Sequence, residues 1–510
     1  MSITFRGRLL AATLLASVGA SAAPVQAETL ADALALAYQN NPTLQAQRAT
    51  QRALDESYVQ ARAGWRPTLG AQFTSQWAET QTPKAGRGVD LNGDGVPDSF
   101  GTGGVRRSNR GTGGLSFTQP LWTGGRTAAA VNASNADVLA GRENLRRVES
   151  SVMVQVIQAY TDTRRDMESL RIRQENVKVL TRQLQESQAR FDVGELTRTD
   201  VAQSQARLAQ AQALMQSAVA QLASTRASYA TLVGQNPGEL APEPSLGYML
   251  PADPDEAFKV AESFNPQLRA QQFTEQSSRA RISGARAEHM PTVSANFSVL
   301  HSGVVDPFDP TNNFGRSVSA QITASVPLFA GGQVTSRVRQ AVERNNADRI
   351  TVDSVRRSVL QGVTQFWSQL TAARANIASS ELQVSAARIA AEGTRQEQQV
   401  GLRTTIDVLN AEQELRQAEL NQVSSRRDEY VASANILATM GRLEARNLIP
   451  ATPTYDAAKN FRKLRMTWGW VPWEEPVGIV DQALTPWPAK PPAEKALEPT
   501  IGPGLSPAPK

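Results

Sequence analysis

Two acidic residues stand out by their position. Residues 192–204 read DVGELTRTDVAQS and residues 399–411 read QVGLRTTIDVLNA, each with an aspartate six residues after the glycine. Gly194 and Gly401 lie 207 residues apart, and so do Asp200 and Asp407. A carboxylate at the start of a helix-forming run can cap the helix, pair with a neighbouring cation, or attract a dissolved one. All three are electrostatic, and none makes or breaks a covalent bond. No catalytic set accompanies these residues. The chain has no cysteine and two histidines, His289 and His301, both beside strand-forming segments. It supplies no nucleophile with a base, no metal cluster and no phosphate loop, so an enzyme and a cofactor are not expected. One further acidic group could hold a metal. Asp90, Asn92, Asp94 and Asp98, around Gly95, resemble the oxygen-rich start of a calcium loop, but position twelve is Gly101 instead of a bidentate Glu. A plain Gly/Asp-rich surface turn is the competing reading.

The bulk properties narrow the class. A formal charge of +5 on 510 residues, with no basic run, argues against nucleic acid as a partner. Arg6 and Arg8 precede the apolar run Leu9–Ala20, and small residues lead to Ala27, so residues 1–27 read as a secretory signal. No later stretch is long and apolar enough for a membrane-spanning helix, which needs about 18 uninterrupted apolar residues.

The elements that position the two aspartates are written twice. NNPTLQAQ (40–47) recurs as FNPQLRAQ (264–271), and RPTLGAQF (66–73) as MPTVSANF (290–297), both at an offset of 224. QPLWTGGR (119–126) recurs as VPLFAGGQ (326–333) at 207, so the first copy carries 17 extra residues between Pro67 and Pro120. No proline occurs from Leu121 through Asn236 or from Leu328 through Ile449. Because an interior proline costs a helix about 3 kcal/mol, both spans read as helix. Thr127–Arg190 and Val334–Glu397 would each form a rod roughly 95 Å long at the helical rise. Val201, Leu208, Met215, Leu222 and Tyr229 recur every seven residues, with Ala211, Ala218 and Leu232 three residues after members of that series, a coiled-coil seam. The expected organisation is a first repeat (28–250), a second repeat (251–450) and a Pro-rich, largely disordered tail (451–510) holding 11 prolines and four of the eight tryptophans.

Between the helical spans lie four segments with period-two alternation. Leu69, Ala71, Phe73 and Trp77 alternate with polar or small residues, as do Leu115, Phe117 and Leu121. Val293 to Val299 and Val318 to Val326 do the same. Each is about ten residues, the length a tilted strand needs to cross a bilayer. Trp122 and Phe329 follow the repeated proline, where interfacial aromatics would anchor a barrel rim. Four strands cannot close a barrel, and an open edge in lipid leaves backbone groups unpaired at several kcal/mol each. Several copies must share the cylinder. Two would give eight strands and a filled interior; three would give twelve strands and room for a channel.

In this order, the Asn-Pro-x-Leu, Pro-Leu-x-x-Gly-Gly and Val-Gly-x-x-x-x-x-Asp-Val phrases make the chain, over roughly residues 28–450, similar to the TolC family of outer-membrane channels. The resemblance implies a mixed fold, a membrane β-barrel continuous with an α-helical barrel. It implies a homotrimer with four strands per protomer and a coiled-coil tunnel in the periplasm. The implied function is an exit duct for efflux or type I secretion, passing drugs, small molecules or polypeptides through the outer membrane. The implied partners are a periplasmic adaptor (membrane fusion) protein and an inner-membrane transporter of the ABC or RND type. It further implies a gate at the helix-turn tips, Gly194 and Gly401, where Arg403 bonds Thr199 and Asp200 on the neighbouring coiled coil. Asp407 would form a ring of three carboxylates. Asn410 stands where a second acid ring is common, so cation block should be weaker. Gln398 replaces a tyrosine that often assists the gate. The alternative is a coiled-coil adaptor or scaffold protein without a pore, which would lack lipid-length strands.

Overall fold

The computed structural model describes residues 27–82, 90, 93–96, 104–305, 314–464 and 469–483. The signal segment up to Gln26, Asn92, Asp98 and everything after Ala483 lie outside the described residues.

Each repeat runs helix, helix, strand, strand, long helix, helix. The first consists of α1 (Leu30–Asn40), α2 (Pro42–Arg62), β1 (Thr68–Thr82), β2 (Gly104–Trp122), α3 (Arg126–Asp192) and α4 (Arg198–Val233). The second consists of α5 (Pro254–Phe264), α6 (Pro266–Ala287), β3 (Thr292–Val304), β4 (Phe314–Ser325), α7 (Gln333–Gln399) and α8 (Thr405–Thr439). The rods α3 and α7 are 67 residues each, about 100 Å at the helical rise. Ala211, Ala218, Leu222 and Tyr229 on the expected seam of α4 are buried.

The Asn-Pro phrase is explained by what Asn41 and Asn265 do. Asn41 caps α2, its Oδ1 accepting from the Thr43 and Leu44 N–H groups at 3.0 and 3.3 Å. Its Nδ2 donates to the Leu232 carbonyl at the end of α4, 3.1 Å away. Asn265 accepts from the Leu268 N–H at 3.0 Å and donates to the Thr439 carbonyl at 2.8 Å. One side chain therefore starts one helix and closes off another in the same repeat. The buried cores also match: Ala33, Leu34 and Ala37 on α1 correspond to Ala257, Phe258 and Ala261 on α5. Asn41→Ala and Asn265→Ala should each cost about 1–2 kcal/mol, a lost cap plus an orphaned carbonyl. The loss would be read as a lower thermal midpoint of the helical circular-dichroism signal. The two caps share no partner, so the double variant should show the sum.

The strands form one antiparallel sheet in the order β1-β2-β3-β4, joining the repeats through β2 and β3 and leaving one long edge of β1 and of β4 unpaired. Register keeps the faces segregated. Leu69 pairs with Phe117, which pairs with Phe297, and Leu115 pairs with Val299, which pairs with Val318. That face stays bare in the protomer; Phe73 is 83% and Ile322 73% exposed. The opposite face carries side-chain hydrogen bonds instead. Thr118 donates to Asn296 at 3.0 Å, and the Ser298 and Ser319 hydroxyls are 2.7 Å apart.

The strands run 12 to 19 residues, longer than the ten expected. The excess lies at the end remote from the helices. There, two residues beyond Trp77, Glu79 pairs with Arg107 at 2.8 Å on the same face, and on the other two strands His301 and Arg316 pair across that face. From Leu69 to Trp77 the chain rises about 27 Å at the strand repeat, which once tilted matches a bilayer's apolar band. The ion pair marks where that band ends, and the remaining residues continue past it.

The expectation of a largely disordered tail is corrected for its described part. After α9 (Ala445–Leu448), helix α10 spans Ala457–Lys463 and α11 spans Glu474–Ala483. Prolines are unevenly spread through the tail, eight of the 11 falling after Ala483, so the stretch before it is free to form helix. Pro476 sits in the first turn of α11, where it removes no helical hydrogen bond. Just ahead of α11, Trp473 Nε1 donates to Gln119 near the helix-proximal end of β2 at 3.0 Å.

Candidate functional site

Both glycine turns are built alike. Val193 ends α3 and Gly194 takes φ +81°; its N–H donates to the Phe191 carbonyl, and the Glu195 N–H reaches back to Arg190, each at 2.9 Å. Gly401, at φ +79°, does the same with Gln398 and Glu397 at 3.0 and 2.9 Å. These paired bonds satisfy the last carbonyls of a helix through a left-handed residue, which glycine adopts without strain. The turns expose Val193, Val400 and Leu402, each more than 70% accessible.

The helices that follow start on capping boxes. Asp200 Oδ2 accepts from the Thr197 N–H (3.0 Å) and hydroxyl (2.7 Å), and Asp407 Oδ2 accepts from the Thr404 N–H (3.1 Å) and hydroxyl (2.7 Å). In return the threonine hydroxyls accept from the aspartate N–H groups. Both spellings, Thr-Arg-Thr-Asp and Thr-Thr-Ile-Asp, are the Thr-x-x-acid pattern of a helix start, a signal legible in the sequence. The Thr404 hydroxyl, then its backbone N–H, then the charge of Arg403 hold the Asp407 carboxyl below the usual aspartate range. It is an anion at neutral pH.

The other candidates divide. Thr199 is exposed on the first turn of α4. Within the protomer Arg403 pairs with Glu397 of its own hairpin at 2.8 Å, which raises its pKa further, and not with Thr199 or Asp200. Gln398 is buried, its amide 3.5 Å from the Thr405 hydroxyl. Asn410 meets a partner that the sequence did not reveal. Arg207 of α4 donates to Asn410 Oδ1 at 3.0 Å and to Gln413 Oε1 at 2.7 Å on α8. Just behind them Leu180, Ala211 and Leu409 form a small apolar joint between the two hairpins. Sequence spacing cannot place Arg207, because the tie crosses two helices 203 residues apart.

The remaining candidates sit far from the tips. Trp122 is half-buried and Phe329 is 90% exposed, so matching sequence positions have unlike surroundings in one protomer. In the extra loop both Asp90 oxygens accept backbone N–H groups, from Gly93 at 2.7 Å and Gly95 at 2.6 Å, as in an acid-capped turn. Among the described residues no three His, Cys, Asp or Glu side chains converge on a metal position.

Comparison with known proteins supplies the rest. The family model described as "Outer membrane efflux protein" matches residues 33–235 and 258–442. The chain is 30% identical over 458 residues to the outer membrane efflux protein BepC of Brucella suis, covering 90% of this chain and 95% of the relative. It is 28% identical over 417 residues to the alkaline protease secretion protein AprF of Pseudomonas aeruginosa, covering 79% and 82%. The fold matches the crystal structure of the outer membrane protein VceC of Vibrio cholerae with a TM-score of 0.65 at 18% identity, over 81% of this chain and 96% of that one. An apolar-faced sheet on long helical hairpins, duplicated within one chain, is thus the protomer of a membrane β-barrel joined to an α-helical barrel. The chain belongs to the outer membrane efflux protein family and is an outer-membrane exit duct for efflux or secretion, with a large periplasmic part.

Proposed function

We propose that three copies close into a twelve-stranded barrel over a tunnel of paired hairpins, and that the duct is passive and gated at its periplasmic tips. The observation that carries this is the sheet: one largely apolar face, one polar face and, among the described residues, two edges with no partner. Two copies would give eight strands with a filled interior, whereas twelve leave a water path. The repeated Pro-Leu-x-x-Gly-Gly loops support a head-to-tail ring. In the first, Gly124 packs against Met290 and Pro291, while in the second Leu328 is 92% exposed. The counterparts of Met290 and Pro291 are Arg66 and Pro67 beside the free edge of β1, so the next protomer supplies the missing cover. On a gel, the unheated protein should migrate at three times the chain mass and collapse to one on boiling. A monomer in both lanes would end the proposal.

The gate follows from the ring. Arg403 exchanges its local Glu397 for Thr199 and Asp200 of the adjacent hairpin, using the Asp200 Oδ1 that the capping box leaves over. Asp407 supplies three carboxylates around the aperture, and Asn410 withholds a second ring. Asp407→Asn keeps an oxygen for the Thr404 cap and removes the charge. In planar bilayers it should abolish block by divalent ions or hexamminecobalt while leaving conductance near wild type. Arg403→Ser should instead raise conductance. Unchanged block in the first variant or unchanged conductance in the second removes the corresponding role. The exposed Val193, Val400 and Leu402 at the tips are the surface offered to a periplasmic adaptor, through which an ABC- or RND-type transporter delivers cargo.

A further inference from the structure

Helix α11, the last of the described helices, buries two acids and turns apolar residues outward. Its inward face, at positions i, i+3, i+4 and i+7, is Glu474, Val477, Gly478 and Asp481, of which Glu474 and Asp481 are fully buried. Their charges are met. Glu474 lies between Arg62 at 2.6 Å and Arg66 at 2.9 Å. Asp481 accepts from the Gly125 and Ala128 N–H groups at the start of α3 and from Trp65 Nε1, at 2.9 to 3.2 Å. A Cβ on Gly478 would stand 3.2 Å from the Trp65 ring, so glycine permits the close approach. The outward face is Pro476, Ile479, Val480 and Ala483, with Ile479 66% and Val480 52% exposed. A solvent-facing helix places its polar residues outward. This one buries Glu474 and Asp481 and exposes Ile479 and Val480, with the exposed Glu475 and Gln482 flanking the apolar stripe on one side.

Its position names the medium it faces. Gln119 shares the outward face of β2 with Leu115 and Phe117, and its partner across the sheet is Ala295 on the same face. Because Gln119 holds Trp473, the helix begins outside the barrel wall at its periplasmic foot. Trp473 joins this face two residues below Phe117 through Gln119, and Ile479 and Val480 are exposed farther along the helix that Trp473 precedes. We propose that Trp473 and the outward face of α11 lie in the inner, phospholipid leaflet of the outer membrane, as an interfacial anchor collaring the foot of the barrel. A short helix lying in the plane of the interface with its apolar face down is a known membrane arrangement, and tryptophan favours that depth. The inward acidic face fixes the helix to the protein so that the outward face needs no further partner. The proposal rests on the barrel standing in lipid.

The chain has no cysteine, so a single introduced one can be labelled without background. Ile479→Cys and Val480→Cys, each carrying a nitroxide, would be reconstituted as the full-length oligomer in phosphatidylethanolamine–phosphatidylglycerol vesicles, with Leu69→Cys as the barrel control. Relaxation by oxygen but not by a water-soluble nickel chelate, matching the sign of the contrast at Leu69, is the expected result. Nickel access at 479 and 480 with lipid exposure retained at 69 overturns the anchor alone. Nickel access at all three overturns the barrel's placement with it. Exclusion of both reagents at 479 and 480 means that a second copy covers the face, and also overturns the anchor.

Discussion

Glu474→Gln should release α11 from the barrel foot and raise amide exchange across residues 474–483 by roughly two to three orders of magnitude. Glu474 is fully buried between Arg62 and Arg66, whose side chains are themselves under 10% exposed. The substitution keeps shape and one acceptor oxygen but leaves two guanidinium groups facing each other without a countercharge. Breaking a buried ion pair from one side costs about 3–5 kcal/mol, because the surviving charge stays desolvated. Local opening is the route by which the arginines regain water, so the cost falls on the docking of α11 and not on the long hairpins. At about 1.4 kcal/mol per tenfold, the lower part of that range already gives two decades. Asp481→Asn should loosen the helix as well. Both Asp481 oxygens accept N–H donors, Oδ1 from Thr123 and Gly125 and Oδ2 from Ala128 and Trp65, so an asparagine turns its own donor toward one of these buried pairs and leaves it unsatisfied, at about 1–3 kcal/mol. Exchange in α11 unchanged by Glu474→Gln would show that the ion-paired cluster does not hold the helix.

The duplication made most of this fold legible in sequence. Two offsets, 224 and 207, aligned every element of one repeat with the other, and proline exclusion separated rods from strands. Period-two alternation placed one apolar face correctly on all four strands because side chains there have no choice of side. The long-range ties were not legible. Arg403 turns to Glu397 within its hairpin because both flank the same turn, and which carboxylate a flexible arginine selects depends on what stands nearby in space. Asp200 and Asp407 carried a readable capping signature, since Thr197 and Thr404 lie at the required spacing. The helix in the tail escaped notice because its face pattern is inverted: an inward stripe of Glu, Gly and Asp does not register as a core.

Arg207→Ala should open the duct in planar bilayers, shifting its conductance distribution toward the higher levels. Little joins the two hairpins toward their tips. Higher up, Arg427 of α8 pairs with Asp162 of α3 at 2.7 Å. Towards the turns the contacts between hairpins are the Leu180, Ala211 and Leu409 joint and the fork of Arg207 onto Asn410 and Gln413. Asn410 lies one helical turn beyond Asp407, so the fork grips α8 close to the proposed aperture. Each fork is exposed and, screened by water, is worth about 0.5 kcal/mol. Symmetry multiplies it: three forks released together favour separation of the hairpins by about 1.5 kcal/mol, roughly a tenfold shift in the ratio of open to closed gates. Arg207→Lys should recover part of the effect, because an ammonium reaches one amide at a time where the guanidinium holds two. The result also separates two mechanisms. If Arg403→Ser opens the duct and Arg207→Ala does not, the closed state is held between protomers alone. If both open it, and the double variant exceeds either, each α8 is restrained from two sides. One restraint is its own α4 and the other is the neighbouring hairpin, so a docking partner must overcome both before cargo can pass.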